Sequence, residues 1–318
     1  MEKAKKITFG IVLGGFLLAL VLGTIFDLQI SKALADITWG QYYTTNFYAI
    51  AGEVVGEMVL YLLLVCSLSI LVNYFARRNT SKKWYYYLII VILAILSVGV
   101  GIFGVSKFLN YLADFSVAGV EGFSKSTIGK VVILLLSCAT TLVACLLFAK
   151  CKDESLKQLA VWAIVMILIA IASNLVVQVY KRIACRTRYR AMVYEDMENF
   201  DYYTPWYVIN TQKFSSTAPF ASEFFKSFPS GHACAGASVF SLVLLPHCFE
   251  KTNTTKWKSI FLAIAITWTT LVCFSRIVAG AHYFTDVLIG SFVTIFFTYL
   301  AKWVLINKHI PQKWVDKI

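Results

Sequence analysis

The chain has 318 residues, of which 59% are hydrophobic and only 14% charged, and its mean hydropathy is +0.71. A soluble domain of this length needs far more charge to cover its surface, so composition points to a membrane protein. The net charge of +12 does not mark a nucleic-acid partner, because the bases lie between apolar runs rather than in one patch.

An α-helix crosses the hydrocarbon core with about 20 apolar residues. Eight such runs follow one another at roughly 7–26, 54–75, 85–106, 129–149, 159–180, 231–247, 258–275 and 284–305. The reading is an all-α, polytopic transmembrane helix bundle of about eight spans. Trp39, Trp84, Trp206, Trp257, Trp303 and Trp314 fall close to the run ends, where indoles settle at the headgroup level. The first run follows Lys3, Lys5 and Lys6. Its apolar stretch is long for a signal peptide and its small residues (Ala33-Leu34-Ala35) come late, so it reads as a retained anchor. The sixth run is the shortest and opens with Gly231, Ala233, Ala235, Gly236, Ala237 and Ser238, small residues that let helices approach closely. Cys66, Cys138, Cys145, Cys234 and Cys273 lie inside apolar runs and only Cys185 near a loop, so no disulfide is expected.

Basic residues orient the bundle. The N-terminus and the connections carrying Arg77, Arg78, Lys82 and Lys83, then Lys150, Lys152 and Lys157, then Lys251, Lys256 and Lys258, share one side with Lys302, Lys308, Lys313 and Lys317. That side holds most of the 29 Lys and Arg, so the positive-inside rule makes it cytoplasmic, with both termini. The cluster from Lys181 to Arg190 breaks the trend on the opposite face and asks for a functional reason.

Three segments on that face carry chemistry. In the first, Lys181 and Arg188 are seven residues apart and share a face if the helix continues, together with Asn174 and Gln178. The second is Pro229-Ser230-Gly231-His232. Ser230 is a good N-cap, the helix start offers free N–H groups to an anion, and Gly231 permits close approach. In the third, running from Ser275 to Asp286, His282 and Asp286 are at i, i+4, and Arg276 ends the preceding span. A carboxylate beside an imidazole fixes its tautomer. Three cations, two imidazoles and an orienting carboxylate supply a nucleophile, an acid and charge stabilisation for phosphoryl transfer without a metal.

In these three motifs the chain resembles the type 2 phosphatidic acid phosphatase superfamily, whose pattern is Lys-x6-Arg-Pro, Pro-Ser-Gly-His and Ser-Arg-x5-His-x3-Asp. The matches are Lys181 and Arg188, Pro229 to His232, then Ser275, Arg276, His282 and Asp286. Tyr189 stands where the family has proline. The resemblance implies that His282 forms a phosphohistidine, that Asp286 orients it, and that His232 protonates the leaving group and then activates water. It further implies that Lys181, Arg188, Ser230, Gly231 and Arg276 hold the phosphoryl oxygens, with no cofactor or metal. The expected function is an integral membrane phosphatase of a phosphorylated lipid, of the phosphatidic acid or polyprenyl diphosphate type, in the plasma membrane with an extracytoplasmic site. The same residues would serve a lipid phosphotransferase or a phosphatase of a soluble monoester.

The resemblance divides the chain into a four-span extension, 1–158, and a phosphatase core, 159–318. Between Arg188 and Pro229 a structureless outer stretch of about forty residues carries Glu195, Asp196, Glu198, Asp201, Tyr202, Tyr203 and Trp206, and reads either as a lid or recognition loop or as a passive outer loop. Glu53 and Glu57 at the second span's start are expected to meet interfacial water rather than to pair with Lys107 or Lys130 inside the bundle.

Overall fold

The computed structural model describes residues 2–78, 83–115, 120–249 and 253–306, and among them every regular element is helical. Lys82, Lys251, Lys308, Lys313, Lys317 and Trp314 lie outside the described residues. Eight helical segments are long and apolar enough to cross a membrane. The first is α1 (Glu2–Leu34). The second joins α2 (Phe47–Gly56) to α3 (Met58–Arg78) at Glu57. α4 (Trp84–Asp114) and α6 (Thr127–Ala149) flank a short α5 (Val120–Lys125). α7 (Asp153–Ala184) is the fifth span, and α8 (Tyr189–Tyr194) lies in the connection after it. The sixth is composite: α9 (Gly231–Gly236), a 3-10 stretch (Ala237–Leu244) and α10 (Leu245–Cys248). α11 (Thr255–Val278) and α12 (Phe284–Ala301) complete the set.

The bundle is apolar outside and polar inside. Leu18 and Ile25 of α1, Ile95 of α4, Leu135 of α6 and Ile171 and Leu175 of α7 are exposed, while Ser67, Ser69, Ser97, Ser137, Thr269 and Thr294 are buried. Hydrocarbon competes with apolar side chains for nothing, so spans associate through small and hydrogen-bonding residues. The small-residue sixth span accordingly packs against α3, α7, α11 and α12. Trp162 of α7 donates its indole N–H to the Ser241 carbonyl at 2.9 Å. Helices on either side of residue 158 pack together, α1 on α12 and α2 on α9 and α11.

Two elements differ from the sequence reading. The first apolar run ends on paper at residue 26, because Asp27 follows. The helix continues to Leu34 because Asp27 turns inward and is fully paired there. The outer stretch 189–228 is also far from structureless. Tyr42 stacks on Phe220 at 4.3 Å and lies edge-on to Tyr194, Tyr189 stacks on Phe200, and Trp206 donates to the Thr24 hydroxyl of α1. Aromatic packing of this kind orders a segment that few regular hydrogen bonds hold.

α12 lies directly against the turn that opens the sixth span. A Cβ on Gly290 would come within 2.4 Å of the Ser230 carbonyl oxygen, so only glycine permits this approach. The contact is reinforced where the Ser230 N–H donates to the Asp286 carbonyl at 3.0 Å. Gly290→Val must therefore push the two helices apart, at about 1–3 kcal/mol for overpacking. A lowered thermal midpoint of the purified variant checks this, with the exposed Phe296→Leu as the control that leaves it unchanged.

Candidate active site

The three motifs meet at one end of the bundle, at the end of α7, the start of α9, the end of α11 and the start of α12. Local folding explains each placement. α7 stops at Ala184 because Cys185 adopts a left-handed conformation (φ 46°), so Arg188 does not continue the helical face of Lys181. It reaches the site on a loop instead, as the residue preceding α8. The half-buried Lys181 ammonium lies 3.5 Å from the position a Cβ on Gly231 would take. Ser230 caps α9, its hydroxyl accepting from the Ala233 N–H. The first-turn N–H groups of such a helix have no carbonyl one turn back to bond.

Arg276 and His282 are joined through the backbone. After α11 ends, Gly280 takes a positive φ of 58°, and the N–H groups of Ala281 and His282 both reach back to the Arg276 carbonyl, at 3.2 and 3.3 Å. Arg276 is fully buried. Among the described residues, none of its three guanidinium nitrogens makes a well-formed hydrogen bond, although Nη1 is 3.0 Å from Glu53 Oε2.

His282 lies before α12 begins, so the i, i+4 pair with Asp286 is not formed across a helical face. Its Nδ1 is 3.7 Å from Asp286 Oδ2 but donates to the Ser227 carbonyl at 2.6 Å. That acceptor fixes the proton on Nδ1 and leaves the Nε2 lone pair free. Asp286 works one step behind. Its Oδ2 accepts from the Ser227 hydroxyl at 2.5 Å and the Tyr283 N–H at 2.9 Å, and its Oδ1 from Arg186 at 2.6 Å. The carboxylate thus anchors Ser227, whose carbonyl holds the imidazole. Burial drives the His282 pKa well below the ordinary imidazole value, and Arg188 and Lys181 push the same way against Asp286.

Several residues of this site were not foreseen. Arg186 is the centre of a buried charge chain, bonded to Asp286 on one side and to Asp27 of α1 at 2.9 Å on the other. Asp27 also accepts from the Thr285 N–H at 2.9 Å and from the Thr285 hydroxyl. Burial alone would disfavour the Arg186 charge, but Asp286 and Asp27 outweigh it and its pKa rises. The Tyr283 ring lies under the same guanidinium at 4.1 Å. Asp27 announces itself in sequence only as the lone acid of an apolar run.

Glu53 and Glu57 correct an expectation outright. Both are buried within the bundle rather than meeting interfacial water. Glu53 pairs with Arg276 and, at 3.4 Å, with Arg190, which also covers the Tyr42 ring at 4.3 Å. Glu57 accepts from the Tyr111 hydroxyl at 3.0 Å and lies 3.5 Å from Lys107 and 3.3 Å from His232 Nδ1. Burial inside the bundle is affordable for them because each finds cationic partners there. All eight residues singled out from sequence, Lys181, Arg188, Ser230, Gly231, His232, Arg276, His282 and Asp286, belong to this connected cluster.

Two outcomes follow. Asp27→Ala strands Arg186 as a half-compensated buried charge, at about 3–5 kcal/mol, and a thermal midpoint unchanged from the parent protein would refute the pairing. Because the His282 pKa is lowered, its neutral form persists as pH falls through the ordinary imidazole value. In 15N-histidine NMR spectra at pH 6, His282 should remain neutral with its proton on Nδ1.

The family model of the PAP2 superfamily matches residues 160–310. No curated protein and no solved structure matches the chain. Members of that superfamily are phosphatases acting on phosphate esters, and this chain houses the matching region in a bundle of membrane-spanning helices. The matched segment contains all three motifs, from Lys181 to Asp286. The C-terminal part of the chain, residues 160–310, is thus similar to the PAP2 superfamily.

Proposed function

We propose that the protein is a membrane phosphatase that releases phosphate from a phosphorylated lipid through a phosphohistidine on His282. One observation carries this reading: among the described residues a fully buried arginine, Arg276, holds guanidinium donors with no well-formed hydrogen bond, beside an imidazole whose Nδ1 is taken up by the Ser227 carbonyl. Buried donors that lack well-formed hydrogen bonds can take a further acceptor, and a phosphate presents several oxygens.

The chemistry runs in two displacements. His282 Nε2 attacks phosphorus, the bond from phosphorus to the alcohol oxygen breaks, and His232 gives that oxygen its proton. Water then attacks the phosphohistidine, His232 takes the water's proton, the P–N bond breaks, and inorganic phosphate leaves. Lys181, Arg188, Arg276, the Ser230 hydroxyl and the Gly231 N–H bind the equatorial oxygens, where charge gathers in the transition state. These cations supply the charge that a divalent ion would otherwise bring, so the reaction is expected to need none.

The lipid assignment rests on a cavity of about 530 Å³ between α7 and α12, lined by Val176, Ile183, Trp206, Phe228, Ile289 and Val293 among others. Pro229, which precedes Ser230, forms part of its wall. A lipid whose headgroup phosphate reached the site could lay an acyl or prenyl chain there, with Trp206 and Tyr207 at headgroup level. The basic residues of the opposite end support an extracytoplasmic site with cytoplasmic termini. The packed segment 189–228 adds Glu223, 3.2 Å from Arg188, and Ser227 to the surroundings of the site, as a recognition element would.

Inorganic phosphate release from a panel of phosphorylated lipids, by purified protein in EDTA, tests the proposal. The parent protein should turn over and be inhibited by vanadate, which mimics the pentacoordinate phosphorus. His282→Ala should fall to background and His232→Ala by about 10²–10⁴-fold. A requirement for divalent metal, or full activity in His282→Ala, overturns the mechanism.

A further inference from the structure

We infer that Glu57, which lies outside the matched PAP2 region, is the positioning residue that keeps His232 a proton donor. The inference rests on the role of His232 proposed above.

His232 is enclosed by acceptors. Nδ1 is 3.3 Å from Glu57 Oε1, and Nε2 is 3.2 Å from the Glu53 carbonyl oxygen. A neutral imidazole carries one N–H and one lone pair, so it would set a lone pair against an oxygen on one side. The imidazolium satisfies both. Glu57 is itself held in place, with the Tyr111 hydroxyl donating to Oε2 at 3.0 Å and Tyr61 and Lys107 at 3.5 Å. The Tyr111 ring lies 5.1 Å from the imidazole and limits its tilt.

The charges around His232 come from several elements. Glu57 of the second span faces the ring with its carboxylate and Glu53 with its backbone carbonyl. Arg276 of α11 and Lys107 of α4 lie behind these acids, 3.0 Å from Glu53 and 3.5 Å from Glu57. Glu53 is already committed to Arg276 and Arg190, which leaves Glu57 as the carboxylate aimed at the ring. The arrangement differs from that of His282, whose Nδ1 meets a carbonyl and whose Nε2 is free. One imidazole keeps a ring nitrogen open for attack, and the other is held between two acceptors, placed to donate.

In the first displacement the Nε2 proton of His232 moves to the departing alcohol oxygen while Nδ1–H stays bonded to Glu57. In the second, Nε2 recovers a proton from the attacking water. Glu57 exchanges no proton and acts only through the ring.

The test compares Glu57→Gln and Glu57→Asp with the parent protein on an alkyl phosphate and on p-nitrophenyl phosphate. The alkyl alkoxide needs a proton to leave; p-nitrophenolate does not. Glu57→Gln should lose at least tenfold more in kcat on the alkyl ester than on the nitrophenyl ester, with KM little changed. The basic limb of its kcat profile should move to lower pH, because the imidazolium has lost its counter-charge. Glu57→Asp should restore part of both effects. Equal losses on the two substrates with an unmoved basic limb would mean that Glu57 is merely structural, and the inference fails. A parent protein inactive on both esters, or one whose activity survives His282→Ala, instead removes the proposed function beneath it.

Discussion

Charge buried at membrane depth has to be paired, and this structure is organised around that constraint. Two arginines near the site are inaccessible to solvent, Arg186 and Arg276, and each is met by an acid from the N-terminal spans, Asp27 and Glu53. Removing an unpaired ion from water costs far more than any single packing contact returns. The first two spans therefore complete the electrostatics of the motif-bearing region as well as adding hydrophobic bulk. α1 and α2 lie against α12 and α11, where those pairs require them.

The pairing is unequal, and the inequality has chemical content. Arg186 is bound by Asp286, Asp27, Thr285 and the Thr204 carbonyl. Four of its five N–H donors are taken, and it serves as a brace between α1, the start of α12 and the loop carrying Thr204. Arg276 is the opposite case, buried and yet with donors to spare. Inside one cluster the fold separates a structural guanidinium from one free to bind. The two histidines divide in the same way, by whether the second ring nitrogen faces an acceptor or is left open.

Positioning falls to short backbone devices. The left-handed Cys185 ends α7 and swings Arg188 into place, and the positive φ of Gly280 folds His282 back over the end of α11. Gly290 lets α12 rest on the Ser230 turn. Each device is local, but each matters because it fixes one motif relative to another across more than forty residues of chain. Reactive groups held by rigid helix ends keep their geometry better than groups on free loops.

The eight spans were legible in the chain because bilayer thickness sets helix length, and a run of about 20 apolar residues has few other uses. The motif residues were legible too, since Lys, Arg, His and Asp at the ends of apolar runs are too costly to be incidental. Partner choice was not. Asp27 ended an apolar run on paper, and Glu53 and Glu57 read as residues meeting water. In the folded chain Asp27 reaches Arg186 across 159 residues, and Glu53 and Glu57 turn inward to Arg276 and His232. Asp286 holds Ser227, which holds the imidazole. Hydropathy and spacing are properties of neighbours along the chain and survive in one dimension. A buried ion pair depends on which distant helix arrives alongside, and only tertiary packing decides that.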